Sequence, residues 1–273
     1  MSYNQPKLTI GIPTCAREQS ITACIESIEK NVEIPFKLLV VDNTKAHTQP
    51  KINLSNLFDI DKYIEVEEPI GPSASRKIIA ENVSTEFLLF LDDDNLVREN
   101  TVKIMMKYLE NNPEVSIVSG AWYEKGRYKF GQNFNFGKKN GKNIVFKTFV
   151  TYEEARKMGL SSVRFNSVFA SMLCRTDIFK KVMFDERYRW FYELFDFFMQ
   201  CYQENIIIES LPSVIFDHKP LKYRGKTMKH DKRRMEGKEI FIEKWGITPV
   251  GELGQEVGII PKIYSKMYQP KER

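Results

Sequence analysis

Short apolar runs alternating with helix-length amphipathic stretches set the tightest limit on what this chain can become. Apolar runs at 8–12, 36–41, near 63–66, 86–91 and 115–118 are separated by helix-like stretches at 20–30, 73–83 and 99–111. This alternation predicts a mostly parallel, doubly wound sheet with helices on both faces. Such sheets bind ligands beyond the carboxyl ends of their strands. Three polar signals fall at those ends: Pro13-Thr14 with Arg17, Asp42-Asn43, and Asp92-Asp93-Asp94. They are expected to share one crevice.

Past Trp122 the rhythm changes. Tyr128, Phe130, Phe134 and Phe136 occupy alternate positions with a gap at Gln132, and 137–141 offers turn chemistry, so a hairpin is expected there. A strand at 168–173, a helix at 191–204, a strand at 206–216 and a helix at 236–245 follow. The boundaries read as a first half over 1–122, a second half of the same domain over 123–246 and a C-terminal extension over 247–273. With 273 residues and 42% hydrophobic content, the chain can bury a substantial core. No apolar stretch reaches the roughly 20 residues of a membrane span, and the first residues lack a signal-peptide pattern. A soluble, cytoplasmic protein is expected. Cys15, Cys24, Cys174 and Cys201 form no CxxC pair, so reduced thiols are expected and a zinc site is not.

The aspartate triplet closes the run Phe87-Leu88-Leu89-Phe90-Leu91. If strand geometry persists, Asp92 and Asp94 point one way and Asp93 the other. Two carboxylates so placed form a claw for a hard divalent cation carrying a diphosphate. The competing reading is a polar strand end turning into a loop. Charge is uneven too. Residues 219–244 carry ten Lys or Arg against four acids, a local +6 that outweighs the net +5 of the chain. Such a segment suits phosphate, an anionic polymer, nucleic acid or an anionic membrane surface, or is simply a solvated face.

Ile12-Pro13-Thr14 with Arg17, Val40-Val41-Asp42-Asn43, Gly71-Pro72-Ser73-Ala74-Ser75-Arg76 and Leu91-Asp92-Asp93-Asp94 resemble, in order and spacing, the nucleotide-sugar half of a GT-A glycosyltransferase of the family 2 type. Phe184-Asp185-Glu186, Glu193 with Asp196-Phe197-Phe198, Asp217-His218 and Lys244-Trp245-Gly246 resemble landmarks of its acceptor half. The resemblance implies an α/β GT-A fold: a Rossmann-like, mostly parallel sheet with a mixed acceptor-side lobe. It implies an inverting, metal-dependent transfer from a nucleoside diphosphate sugar, UDP-linked first, to a glycan, polymer or lipid-linked acceptor. Nucleic acid is not an expected partner. Peripheral contact with the inner membrane face fits the basic segment.

By this resemblance Pro13, Thr14, Arg17, Asp42 and Asn43 line the nucleobase pocket, and Arg76 reaches the base or phosphates, although Lys77 stands where the family commonly has Asn. Asp94 would bind Mn²⁺ or Mg²⁺ directly, Asp92 would contact the ribose or a metal-bound water, His218 would complete the metal or diphosphate shell, and Asp93 is left for donor-sugar contacts or a structural hydrogen bond. Lys222 and Arg224, with Lys226, neutralise the diphosphate. A base is needed across the sugar from the leaving group. Glu193 and Asp196 lie three apart, on one face of a helix. Many relatives carry an adjacent Glu-Asp pair where this chain has Glu193-Leu194, which leaves both as candidates, with Asp196 favoured for its Asp-Phe-Phe context. A catalytically degenerate relative or an anionic-polymer-binding module is the main alternative. A nicotinamide oxidoreductase is disfavoured because the first strand leads into Pro13-Thr14 with no GxGxxG.

Overall fold

A computed structural model describes residues 5–48, 53–220 and 228–250, apart from the side chains of 228–231. In chain order the elements begin with β1 (Leu8–Thr14), α1 (Glu18–Asn31), β2 (Phe36–Asp42), β3 (Lys62–Glu65), α2 (Gly71–Asn82), β4 (Phe87–Phe90) and β5 (Asn95–Val97). They continue with α3 (Thr101–Asn111), β6 (Val115–Glu124), β7 (Arg127–Lys129), β8 (Asn133–Lys139), β9 (Lys142–Thr148), α4 (Tyr152–Lys157), β10 (Val163–Phe165) and β11 (Met172–Arg175). The last are α5 (Glu193–Gln203), β12 (Ile207–His218), α6 (Met228–Trp245) and β13 (Thr248–Pro249).

The main sheet runs β10-β12-β6-β11-β4-β1-β2-β3, with β5 pairing β12 and β7 pairing β6. β1 to β4 pair in parallel, as do β6 and β12, while β11 enters antiparallel between β4 and β6. The central strands are apolar on both sides because both faces are covered. One layer joins Ile21, Ile25 and Ile28 of α1 and Met105 and Leu109 of α3 to Leu8, Ile10, Ile12, Leu38 and Leu89. The opposite layer joins Ile79 of α2 and Phe195, Phe197 and Phe198 of α5 to Leu39, Val41, Leu88 and Phe90. Each fully buried Leu, Ile, Val or Phe contributes roughly 1.5–3 kcal/mol to this sandwich.

A smaller sheet, β13-β9-β8, sits apart from the main one. The expected aromatic hairpin is divided between the two sheets. Tyr128 lies in β7, paired with β6, whereas Phe134 and Phe136 lie in β8. The hairpin turn is Asn140-Gly141, both at positive φ (51° and 74°), as a tight two-residue turn requires. Gly137, expected in that turn, is inside β8. The boundary expected at 122 falls within β6, so the two halves share one sheet. All four cysteines are free thiols.

Candidate active site

The carboxyl ends of β1, β2 and β4 converge, and the segments that leave them carry the site. β4 ends at Phe90, and the triplet lies in a turn closed by the Asn95 amide donating to the Asp92 carbonyl at 3.0 Å. The turn overrides strand alternation. Asp93 and Asp94, rather than Asp92 and Asp94, share a partner: the Arg17 guanidinium donates to Asp93 Oδ1 at 2.8 Å and to Asp94 Oδ2 at 2.9 Å. Asp93 also accepts from the Thr14 hydroxyl at 2.7 Å and is 3% exposed. It therefore anchors the loop after β1 from within. Burial, opposed by Arg17 and Thr14, pushes Asp93 up to about 7. Burial and then the neighbouring Asp92 also raise Asp94.

His218 reaches this turn by strand pairing. β5 follows the triplet and runs antiparallel to β12, setting His218 opposite Asn95, and the Lys219 amide donates to the Asp94 carbonyl at 2.7 Å. His218 Nε2 stands 3.6 Å from Asp94 Oδ1. Its ring stacks on Trp122 with centroids 4.2 Å apart, and Nδ1 meets Glu124 Oε2 at 2.8 Å. Burial works against the Glu124 charge, yet bonds from Lys129 and His218 hold its carboxyl below the usual range. An ionised Glu124 accepts a hydrogen bond from Nδ1 and so turns Nε2 toward Asp94, the orientation a metal ligand needs. Among the described residues no group of three acids, histidines or cysteines clusters tightly enough to hold a metal alone. The donor set nevertheless fits a hard cation: Asp94 and His218 supply an adjacent oxygen and nitrogen, with further positions for diphosphate oxygens.

Asp92 turns the other way. Arg76, 4% exposed, donates through Nη2 to Asp92 Oδ1 at 2.6 Å and through Nη1 to Glu193 Oε1 at 3.3 Å. Its buried Nε has no partner. This guanidinium thus joins the aspartate turn, through Asp92, to the first residue of α5. Burial, opposed by Arg76, raises Glu193 above an ordinary carboxylic acid. Phe191 and Tyr192, just before it, both hold left-handed backbone (φ 63° and 66°). Such strain persists only where packing over-determines it. The loop is wedged against α2, where a Cβ on Gly71 would lie 2.1 Å from the Arg189 carbonyl oxygen.

Asp196 has a different setting. Its side chain is fully buried and accepts from Trp245 Nε1 (2.8 Å), Gln200 Nε2 (2.8 Å), Lys244 Nζ (2.9 Å) and the Tyr188 hydroxyl (3.3 Å). Lys244 also donates to Asp185 at 3.0 Å. Asp196 therefore ties α5 to α6, and its lone pairs are spent within the fold. Glu193 is the member of the pair that meets the crevice residues.

Asp42 is 6% exposed, accepts from the Thr44 amide at 2.7 Å and the Tyr63 hydroxyl at 2.5 Å, and lines a narrow cleft with Thr14, Arg17, Glu18 and Leu54. Asn43 is spent on backbone: its amide donates to the Val66 and Glu68 carbonyls and accepts from the Ile70 amide. Pro13 is a half-buried member of β1 opposite Val41. Lys222 and Arg224 lie outside the described residues, as does Lys226. Sequence reasoning missed Glu124 and Tyr63. Glu124 offered a signal, an acid at the end of an apolar run like Asp42. Tyr63 offered none.

The model of the family described as "Glycosyl transferase family 2" matches residues 9–182. The chain belongs to that family. Among relatives of this family 2 chain, the teichoic acid poly(glycerol phosphate) polymerase of Staphylococcus epidermidis is 29% identical over 108 residues, 38% of this chain and 15% of the polymerase. An uncharacterized glycosyltransferase of Methanocaldococcus jannaschii is 23% identical over 218 residues, 77% of this chain and 67% of that one. The chain spans 15–21% of the length of the polymerase and of two rickettsial glycosyltransferases. The fold matches GalNAc-T7, solved with UDP, GalNAc and Mn²⁺, at a TM-score of 0.66 and 13% identity, over 89% of this chain and 49% of that one. It also matches Staphylococcus aureus TarS 1–349 with UDP-GlcNAc at 0.57 and 20% identity, over 82% and 60%. These likenesses show the GT-A fold. No helix among the described residues is long and apolar enough to cross a membrane.

Proposed function

We infer that this chain moves a sugar from a nucleoside diphosphate sugar, UDP-linked first among candidates, to a hydroxyl of a glycan, polymer or lipid-linked acceptor, with inversion and with Mn²⁺ or Mg²⁺. The observation that carries this is Arg76 bridging Asp92 and Glu193, which makes one site of the donor-side turn and the start of α5. In this reading the acceptor oxygen attacks the anomeric carbon, Glu193 takes its proton, and the bond to the diphosphate oxygen breaks on the opposite face. Glu193 is preferred to Asp196 because the lone pairs of Asp196 are already taken by four donors.

Asp94 and His218 would hold the cation, with Glu124 fixing the histidine. Once bound, the ion supplies positive charge to the departing diphosphate. Asp42 would accept from the base in the cleft it shares with Thr14 and Arg17. Lys222 and Arg224 keep their assignment to the diphosphate. The presence of UDP with Mn²⁺ in one structural relative and of UDP-GlcNAc in another supports the donor class.

The test is a panel of nucleoside diphosphate sugars, with and without Mn²⁺, scored by release of nucleoside diphosphate. Glu193→Gln should lower turnover at least about a hundredfold while thermal stabilisation by nucleoside diphosphate plus Mn²⁺ persists. Turnover within tenfold of wild type in Glu193→Gln would remove the base from Glu193. Stabilisation without turnover on any donor would favour the degenerate relative.

A further inference from the structure

The stretch 125–152 carries seven Lys or Arg and no acid over 28 residues, a second basic region that the excess in 219–244 overshadows. The structure gathers its centre into the β8–β9 hairpin. Lys138 and Lys139 precede the Asn140-Gly141 turn and Lys142 follows it. Among the described residues, no carboxylate pairs with Lys138, Lys139, Lys142 or Lys147. Across from the hairpin stands α6, and between them lies an open groove of about 620 Å³. Lys142 and Asn143 line one wall, and Met235, Lys238, Glu239 and Ile242 the other, so two cations face a single acid. The volume lies within the range of about 300–1,000 Å³ that small-ligand sites occupy.

From Asn143 on the groove wall, β9 runs on to Lys147, beside α5. Asn143 and Lys147 lie on the same face of β9, since strand side chains alternate. Lys147 Nζ sits 4.5 Å from the ring centre of Phe195 and 5.9 Å from that of Phe134. Phe195 is in α5, two residues beyond Glu193. Burial pushes the Lys147 ammonium down to about 7, and an anion laid beside it would draw it back to the charged form. Along this face, cations alternate with apolar and aromatic surface, and an anionic chain could be held at intervals by ion pairs and by packing of its rings or methylenes. A bilayer fits less well: the hairpin tip, Lys138 to Lys142, has no apolar side chain to insert.

We propose that the groove between the β8–β9 hairpin and α6 binds the anionic chain of a polymeric acceptor, one bearing phosphodiester or carboxylate groups along its length. Its role as the acceptor's seat rests on the transferase reading above; its binding of polyanions does not. The chain laid in the groove runs past Lys147 toward Glu193.

Binding of polyphosphate and of polygalacturonate to the full chain is measured by titration calorimetry, with neutral dextran and phosphatidylglycerol vesicles alongside. Both polyanions should bind, more weakly as salt rises, and Lys142→Gln/Lys238→Gln should weaken them about fivefold or more. Both positions are away from the core, and stabilisation by nucleoside diphosphate plus Mn²⁺ should not change. A separate Lys147→Gln variant should weaken the same probes. Polyanions that bind no better than dextran, a double variant that binds them as wild type does, or binding to vesicles alone would each overturn the proposal. If donor turnover is absent but polyanion binding is lost in the double variant, the transferase reading fails and the groove stands. Donor turnover with no polyanion binding sinks only the groove.

Discussion

Replacing Arg76 by Met tests the junction on which the site depends. The guanidinium is 4% exposed, and the side chains it pairs, Asp92 and Glu193, are 24% and 13% exposed. Methionine fills much of the volume and leaves two sheltered carboxylates without their shared cation. Removing one partner of a buried ion pair costs about 3–5 kcal/mol, and the partial exposure of Asp92 favours the lower end, about 3 kcal/mol. The sign with pH follows from linkage. Without Arg76 the Glu193 carboxyl, already raised by burial, is held up further in the folded protein relative to an unfolded value of about 4, so the folded chain binds more protons and stability falls as pH rises. Urea unfolding should show a larger deficit at pH 8 than at pH 5, with an unchanged slope. Adding Glu193→Gln should return part of the loss, a coupling of about 1–3 kcal/mol. A cost below about 1 kcal/mol, or the same cost in the Glu193→Gln background, would refute the bridge.

Asp196→Asn should act on the fold: with Lys244 left partly buried beside a neutral amide, unfolding free energy should drop by roughly 3 kcal/mol, and residual activity should scale with folded protein. Because burial raises Glu193, the acidic limb of kcat/KM against pH should have its midpoint above the usual carboxylate range, with activity rising as pH climbs through it, and Glu193→Gln should abolish that limb. Glu124→Gln should weaken Mn²⁺ binding by about 10–100-fold, read by calorimetry, while leaving binding of metal-free nucleoside diphosphate intact. Lys147→Met should stabilise the chain by ~2–4 kcal/mol below pH 7. Between about 7 and its ordinary 10.5 the unfolded chain holds a proton that the folded one lacks, so wild-type stability rises with pH there and the penalty is complete below 7.

The parallel core was legible in the sequence because its strands are buried on both faces and its helices carry one apolar stripe. The runs at 8–12, 36–41 and 86–91 became β1, β2 and β4 within a residue or two. The carboxylates at the strand ends were legible for the same reason: an acid that closes an apolar run must sit where the sheet stops. Their orientation was not. Alternation failed at Asp92 because the chain turns there, and a turn answers to the next pairing, that of β5 with β12, whose partner is remote in sequence. The choice between Asp196 and Glu193 was hidden likewise, since the four donors around Asp196 come from three separate segments. The second basic stretch escaped notice because acids elsewhere cancel it in any whole-chain sum.

The β5–β12 pairing also fixes when the site can exist. The aspartates leave the ribosome more than a hundred residues before His218, and the segment matched by the family model ends at residue 182, before Glu193, β12 and the histidine. A nascent chain of that length could form the first parallel strands but would hold no candidate base and no imidazole beside Asp94. Donor chemistry would switch on late in synthesis, when the last long strand docks. Any truncation that spares the aspartates but removes β12 should yield a protein unable to spend its donor.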